Sequence, residues 1–281
     1  MNHFKTFILL VVLACLFMLI GHLVGGQIGV IIALLIAIAL NFTSWYFSDR
    51  IVLGMYRAKE VDESAAPNLY RMVRDLAQHA NMPMPKVYIV PSPSPNAFAT
   101  GRDPNHAAVA VTQGILGMLE YEELKAVLGH EMAHVKNRDS LIMTVAATLA
   151  AAIGFIAYIA RWGAIFGLGG RRGGGGVVAL LIWAVLAPII ATMIQLAISR
   201  TREYGADKGG AEMSGQPLML ASALRKIHNA AMLRPQRDLA NPSTAHLWIS
   251  SPLSGSAFAS LFSTHPPVEE RIRRLEKMAG V

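Results

Sequence analysis

"GHEMAH", Gly129 to His134, sets two histidines around a glutamate at helical spacing. In a helix, residues i and i+4 lie on one face, so His130 and His134 can turn their imidazoles towards one ion. Glu131, one residue on, reaches a water on that ion from the side, which is the mechanical reason for the H-E-x-x-H pattern. Outward from the motif, Leu124, Val127, Leu128, Met132 and Val135 give the segment an amphipathic helical pattern. Glu120, Glu122, Glu123, Lys125, Lys136 and Arg138 crowd it with charge that would be very costly in hydrocarbon. The helix therefore belongs in water, although a long apolar run begins at Leu141. A five-residue pattern with two free positions also fits a solvated helix that carries two histidines by chance, so the rest of the chain decides.

The rest of the chain reads as membrane protein. Of its 281 residues 53% are hydrophobic and only 15% charged, against about 45–50% and about 25% in soluble domains. Mean hydropathy is +0.42. A bilayer core of ~30 Å needs about 20 apolar residues in a helix. Four stretches qualify: Thr6 to about Leu23, Ile28 to about Phe47, Leu141 to Ala160, and Val177 to Ile198 with Pro188 inside it. The first lacks a small-x-small cleavage site and is followed at once by a second, so a retained hairpin is expected rather than a signal peptide. One cysteine, Cys15, excludes a disulfide framework within the chain.

Lysine and arginine set the orientation. Lys5 precedes the first span, ten lie between Phe47 and Leu141, and eleven follow Ile198. The N-terminus, central segment and C-terminal tail are therefore expected on the cytoplasmic side. Arg161, Arg171 and Arg172 between the third and fourth spans run against the rule, and suit a short or shallow hairpin. The net charge of +7 is spread among apolar segments without a basic stripe or interleaved aromatics, so anionic lipid is expected as its counterpart and not nucleic acid.

Between the hairpins the chain reads as folded protein. Ser64–Ala80 carries Leu69, Met72, Val73 and Leu76 on one helical face, Pro85–Val90 and His106–Thr112 read as apolar strands, and Pro91–Thr100 as a Pro-rich loop that becomes extended. Gln113–Asp139 reads as two successive helices. The tail is mostly helical with a long loop around Arg234–Ser256. Four blocks are expected: a transmembrane hairpin over 1–47, a cytoplasmic part over 48–140, a second hairpin over 141–198 and a second cytoplasmic part over 199–281. The fold class is membrane α+β.

A catalytic metal takes three protein ligands and leaves one position open. The third is sought in "SRTREYGAD" (Ser199–Asp207), where Glu203 and Asp207 stand four apart. One can ligate while the other holds a ligand histidine in its tautomer. His134 precedes the third span by seven residues and Glu203 follows the fourth by five. Both then lie about 8–10 Å from the bilayer surface at ~1.5 Å rise per residue.

These pieces resemble the HtpX family of membrane zinc metalloproteases, relatives of the CAAX prenyl proteases. The resemblance rests on "NAFATG" (Asn96–Gly101), "LGHEMAHVKNRD" (Leu128–Asp139), "SRTREYGAD", "STHPPVEERI" (Ser263–Ile272) and the four-span layout, which together cover essentially the whole chain. It implies four transmembrane helices and a mainly helical, gluzincin-like cytoplasmic metalloprotease domain carrying a small β-sheet. It further implies one Zn2+ per chain on His130, His134 and Glu203, with Glu131 as base. The implied setting is the bacterial inner membrane, with a quality-control and stress-response role cleaving damaged or misassembled membrane proteins and unfolded polypeptide on the cytoplasmic side.

Under that reading Asp207 holds a ligand histidine from behind, and Asn137 and Asp139 are helix-end groups or serve the same purpose. His265 is the candidate oxyanion donor, ahead of Tyr204; its plain alternative is a turn histidine before two prolines. Asn96, Ala97 and Phe98 are candidates for substrate binding by strand addition, which gives affinity to extended chains without strong sequence preference; the plain alternative is a loop leading into a core strand. A homo-oligomer is compatible with all of this. The rival reading is a metal-binding transporter or sensor without hydrolysis, which calls for ionisable residues inside the spans, and those are almost absent.

Overall fold

The computed structural model describes residues 46–139, 200–233 and 266–281, with isolated positions between 15 and 43. The expected spans at Leu141–Ala160 and Val177–Ile198, the three arginines between them and the loop around Arg234–Ser256 lie outside the described residues, and the first span lies almost wholly outside. Among the described residues no helix is long and apolar enough to cross a membrane. Contacts divide the chain into two compact units, Met1–Trp45 with Leu141–Ile198, and Tyr46–Ser140 with Ser199–Val281. In the first unit, the described residues 26–39 are helical, and Ile28, Ile31, Ile32, Leu35, Ile36 and Ile38 are all exposed.

The second unit is mainly helical around a small mixed sheet. Its elements run α1 (Ser48–Met55), β1 (Lys59–Glu60), α2 (Pro67–Ala80), β2 (Lys86–Val90), β3 (Ala97–Gly101), a 3-10 turn (Pro104–His106), β4 (Ala107–Thr112), α3 (Gln113–Met118) and α4 (Tyr121–Lys136). They continue with α5, whose described part is 200–214, then α6 (Pro217–Leu233) and α7 (Val268–Met278). The sheet order is β1-β2-β4-β3. β2 runs parallel to β4, with Tyr88 opposite Ala110, and β3 is antiparallel, with Phe98 opposite Ala110.

Alternation along the strands builds two cores. Ala97, Ala99, Val109 and Val111 face a layer formed by α2 and α4, where they meet Leu76, Leu128 and Met132. Phe98, Ala108 and Ala110 face α1, where they meet Leu53 and Tyr56. Successive side chains point to opposite faces of a strand, so a run of small and β-branched residues can be buried on both sides. Helix α2 starts on Pro67 and ends on Asn81 in the left-handed region, φ 52°, as helix start and stop chemistry requires. Its buried stripe is the one expected from the sequence, extended by Ala77 and Ala80. Helix α4 is fixed at its start by a capping box between Glu120 and Glu123. Helix α6 packs behind α4, and α7 packs on α6.

Where α4 meets α5 the surfaces are glycines. A Cβ on Gly210 would stand 2.5 Å from the amide nitrogen of His130, and one on Gly129 would stand 3.0 Å from the carbonyl oxygen of Gly210. No side chain fits there, so the two helices touch backbone to backbone beside the histidine motif.

Candidate metal centre

Helix α4 presents His130 and His134 one turn apart, with their rings edge to face at 88°. Their Nε2 atoms are 3.2 Å from each other. Helix α5 brings Glu203 against both: Oε2 lies 3.6 Å from His130 Nε2, and Oε1 lies 3.4 Å from His134 Nε2. Among the described residues these three form the group of donors able to hold a metal. A tetrahedral ion with ligand bonds of ~2.0–2.1 Å separates its donors by roughly 3.3–3.4 Å, which is the spacing found here.

The reverse side of each imidazole faces a carboxylate. Asp139 Oδ2 lies 2.7 Å from His134 Nδ1, and Asp207 Oδ1 lies 3.0 Å from His130 Nδ1. With a proton on each Nδ1, facing its carboxylate, the two Nε2 lone pairs would face each other, an arrangement that a cation between them relieves. Each carboxylate is itself paired with an arginine: Asp139 with Arg202, and Asp207 with Arg271. Glu131, Asp139, Glu203 and Asp207 are all buried. With both histidines neutral, as metal ligands are, and all four carboxylates ionised, the two guanidinium groups would leave two negative charges inside the protein. Buried net charge is costly unless compensated, and one divalent cation supplies the balance.

Proton affinities follow the same logic. Burial alone would depress the His134 pKa, but the hydrogen bonds and charges of Asp139 and Glu203 outweigh it and lift it to about 10. The position calls for positive charge. Burial would raise Asp207, yet Arg271, and then His130, bring it down to about 2, so Asp207 is ionised. Burial raises Glu131, partly offset by His130 and His134.

Glu131 points to β3. Its Oε2 accepts the Ala99 N–H at 3.2 Å. That N–H is turned away from β4, so by antiparallel alternation Ala97 and Ala99 direct their backbone groups to the outer edge of the sheet. The strand is nonetheless buried along its length. The side chains of Ala97 and Phe98 belong to the two cores, and Phe98 lies 5.2 Å from the Tyr56 ring. Asn96 is buried, and its backbone pairs with Thr112. What β3 offers at this edge is therefore the backbone of Ala97 and Ala99, not the Asn96 or Phe98 side chain.

Of the other expected residues, Asn137 is the C-cap of α4, its N–H on the Ala133 carbonyl. Tyr204 lies under the Arg274 guanidinium, 3.7 Å from its ring centre. His265 lies outside the described residues. Sequence reasoning missed Arg271 and Arg202. The signal for Arg271 was present: it shares one face of α7 with Val268, Ile272 and Leu275, an arginine inside an apolar stripe.

The chain is similar to known proteins along nearly its whole length. Residues 63–279 match the family described as Peptidase family M48. A relative from Syntrophobacter fumaroxidans, named Protease HtpX homolog, is 52% identical over 99% of this chain and 99% of its own. A protein of the same name from Thermococcus kodakarensis is 54% identical over 98% of this chain and 95% of its own. The crystal structure of S. mikatae Ste24p shares the fold, with a TM-score of 0.60 at 18% identity. That likeness covers 86% of this chain and 57% of Ste24p's.

Proposed function

The chain belongs to peptidase family M48 and is a metallopeptidase, and on that premise we propose that it is a membrane-bound zinc endopeptidase acting on the cytoplasmic side. The observation that carries the reading is the triangle of His130, His134 and Glu203 at tetrahedral spacing, with the Glu131 carboxylate beside it. Zinc on these donors would supply Lewis acidity, polarising the scissile carbonyl and bringing a water's pKa towards ~7. Glu131 would serve as the base that takes a proton from the attacking water and passes it to the leaving amine. The Ala99 N–H fixes the carboxylate in place.

Asp207 and Asp139 hold the histidines with Nε2 free for the metal. An extended polypeptide adds along the outer edge of β3, through the backbone of Ala97 and the carbonyl of Ala99, whose N–H stays on Glu131. Because that edge is buried, the incoming chain has to displace its cover. Backbone-only recognition suits misfolded and damaged membrane proteins, which share no sequence. The membrane reading is supported by the exposed isoleucines and leucine on helical residues 28–38 and by the apolar runs of the sequence. The charge asymmetry of the loops supports a cytoplasmic site in the inner membrane of a bacterium.

The test uses the purified full chain in detergent, with zinc measured by mass spectrometry and casein as substrate. Wild type should hold one zinc per chain. Glu131→Gln should keep the zinc and lose about 10²–10⁴ in rate; cleavage at the wild-type rate refutes the mechanism. Glu203→Ala should lose the metal.

A further inference from the structure

Arg271 is fully buried, and it is the bulkiest of the described side chains to be so. A guanidinium cannot shed its charge and carries five donors, so its burial has to be answered by acceptors. The answer lies at the metal centre. Nε donates to Asp207 Oδ2 at 2.8 Å and Nη2 to Asp207 Oδ1 at 2.7 Å, a two-pronged fork. Nη1 stands 3.3 Å from Glu203 Oε2, and Nη2 borders His130 Nε2 at 3.5 Å. One side chain from α7 thus touches a ligand carboxylate, the carboxylate behind a ligand histidine, and the edge of that histidine.

Docking of α7 does not require it. Val268, Ile272 and Leu275 already bury an apolar stripe, and an apolar residue at 271 would extend that stripe without the desolvation cost of a charge. The fork also has a geometric consequence that a simple charge lacks. Asp207 Oδ1 accepts from Arg271 Nη2 and lies 3.0 Å from His130 Nδ1, so the angle of the fork determines where the carboxylate behind the histidine sits.

We propose that Arg271 is a positioning residue of the metal centre: it orients Asp207 behind His130 and, through Nη1, holds Glu203 towards the shared metal position. This rests on the reading of His130, His134 and Glu203 as metal ligands. Arg202 stands in the corresponding place behind Asp139 and His134, but α5 carries it beside Glu203 itself. Arg271 comes instead from a separate helix, so α7 completes a centre whose other parts lie on α4 and α5.

The test measures zinc affinity of the full chain in detergent micelles, by competition with a chromophoric chelator, alongside the thermal midpoint of the metal-free protein. Arg271→Lys keeps the charge and loses the fork. It should bind zinc about 10–100-fold more weakly while its metal-free midpoint stays near wild type. Asp207→Asn and the double variant Asp207→Asn/Arg271→Met remove the pair stepwise, and the double variant takes out one charge of each sign, so the net buried charge is unchanged. The double variant should bind more weakly than Asp207→Asn, because Glu203 has then lost Nη1 as well. Arg271→Lys within twofold of wild type, or a double variant equal to Asp207→Asn, overturns the proposal while the ligand assignment stands. A wild type that holds no zinc overturns the ligand assignment, and this inference with it.

Discussion

Gly210 on α5 meets the backbone of His130 on α4 so closely that a single Cβ would stand 2.5 Å from the His130 amide nitrogen. The contact sets how near Glu203, two turns earlier on α5, comes to the histidines. Gly210→Ala should push the helices apart, costing about 1–3 kcal/mol and weakening zinc binding. Gly205→Ala is the control: its Cβ would meet nothing within 4 Å, so helix propensity predicts about 0.5–1 kcal/mol of stabilisation. Thermal midpoints and zinc titrations of both variants check the pair.

Asp139→Asn removes the charge that holds the His134 Nδ1 proton while keeping the side chain's shape. Zinc affinity should fall about 10–100-fold, with unchanged helical content by far-UV circular dichroism. Affinity equal to wild type would show that the 2.7 Å contact does not order the imidazole.

Glu123 ties the start of α4 to α6. It accepts from Ser222 Oγ and Lys226 Nζ, both at 2.7 Å, and from the Glu120 N–H at 3.0 Å. Burial would raise its pKa, but these partners outweigh burial and hold it below the ordinary carboxylate value. A depressed folded-state pKa contributes stability that is present above the unfolded pKa and lost as pH falls through the folded one. Urea midpoints should therefore drop more steeply below pH ~4.5 for wild type than for Glu123→Gln. At pH 7 the variant should be less stable by about 1–3 kcal/mol.

Phe98 stands next to the backbone edge proposed for substrate, yet its ring is buried against Tyr56. Phe98→Ala should cost about 3–5 kcal/mol of stability. Phe98→Leu should fold and leave KM for an extended peptide unchanged. A raised KM in Phe98→Leu, at unchanged stability, would place the ring in the substrate site after all.

Much of the centre was legible before any coordinates. His130, Glu131 and His134 are announced by helical spacing, and the stripe of α2 and the alternation of β4 follow from periods of 3.6 and 2. Glu203 and Asp207 were both visible as candidates, but spacing alone did not say which carboxylate faces the Nε2 atoms. The tertiary structure separates them: Glu203 lies against both Nε2 atoms and Asp207 against His130 Nδ1. Asn96, Ala97 and Phe98 read equally well as substrate contacts or as core, because alternation says which residues share a face and not which face is covered.

Local terms can be read from the chain alone: which segments are helix or strand, which face of α4 carries the histidines, and that a metal is wanted there. Those terms depend on neighbours within a few residues, where steric preference and hydrophobic period act directly. It takes the folded chain to bring Arg271, 141 residues along the chain from His130, into the centre, and to show that glycines let α5 approach α4 closely enough for Glu203 to complete it. Contacts over such separations are selected by packing and by the need to neutralise buried charge, and neither leaves a periodic mark in the chain.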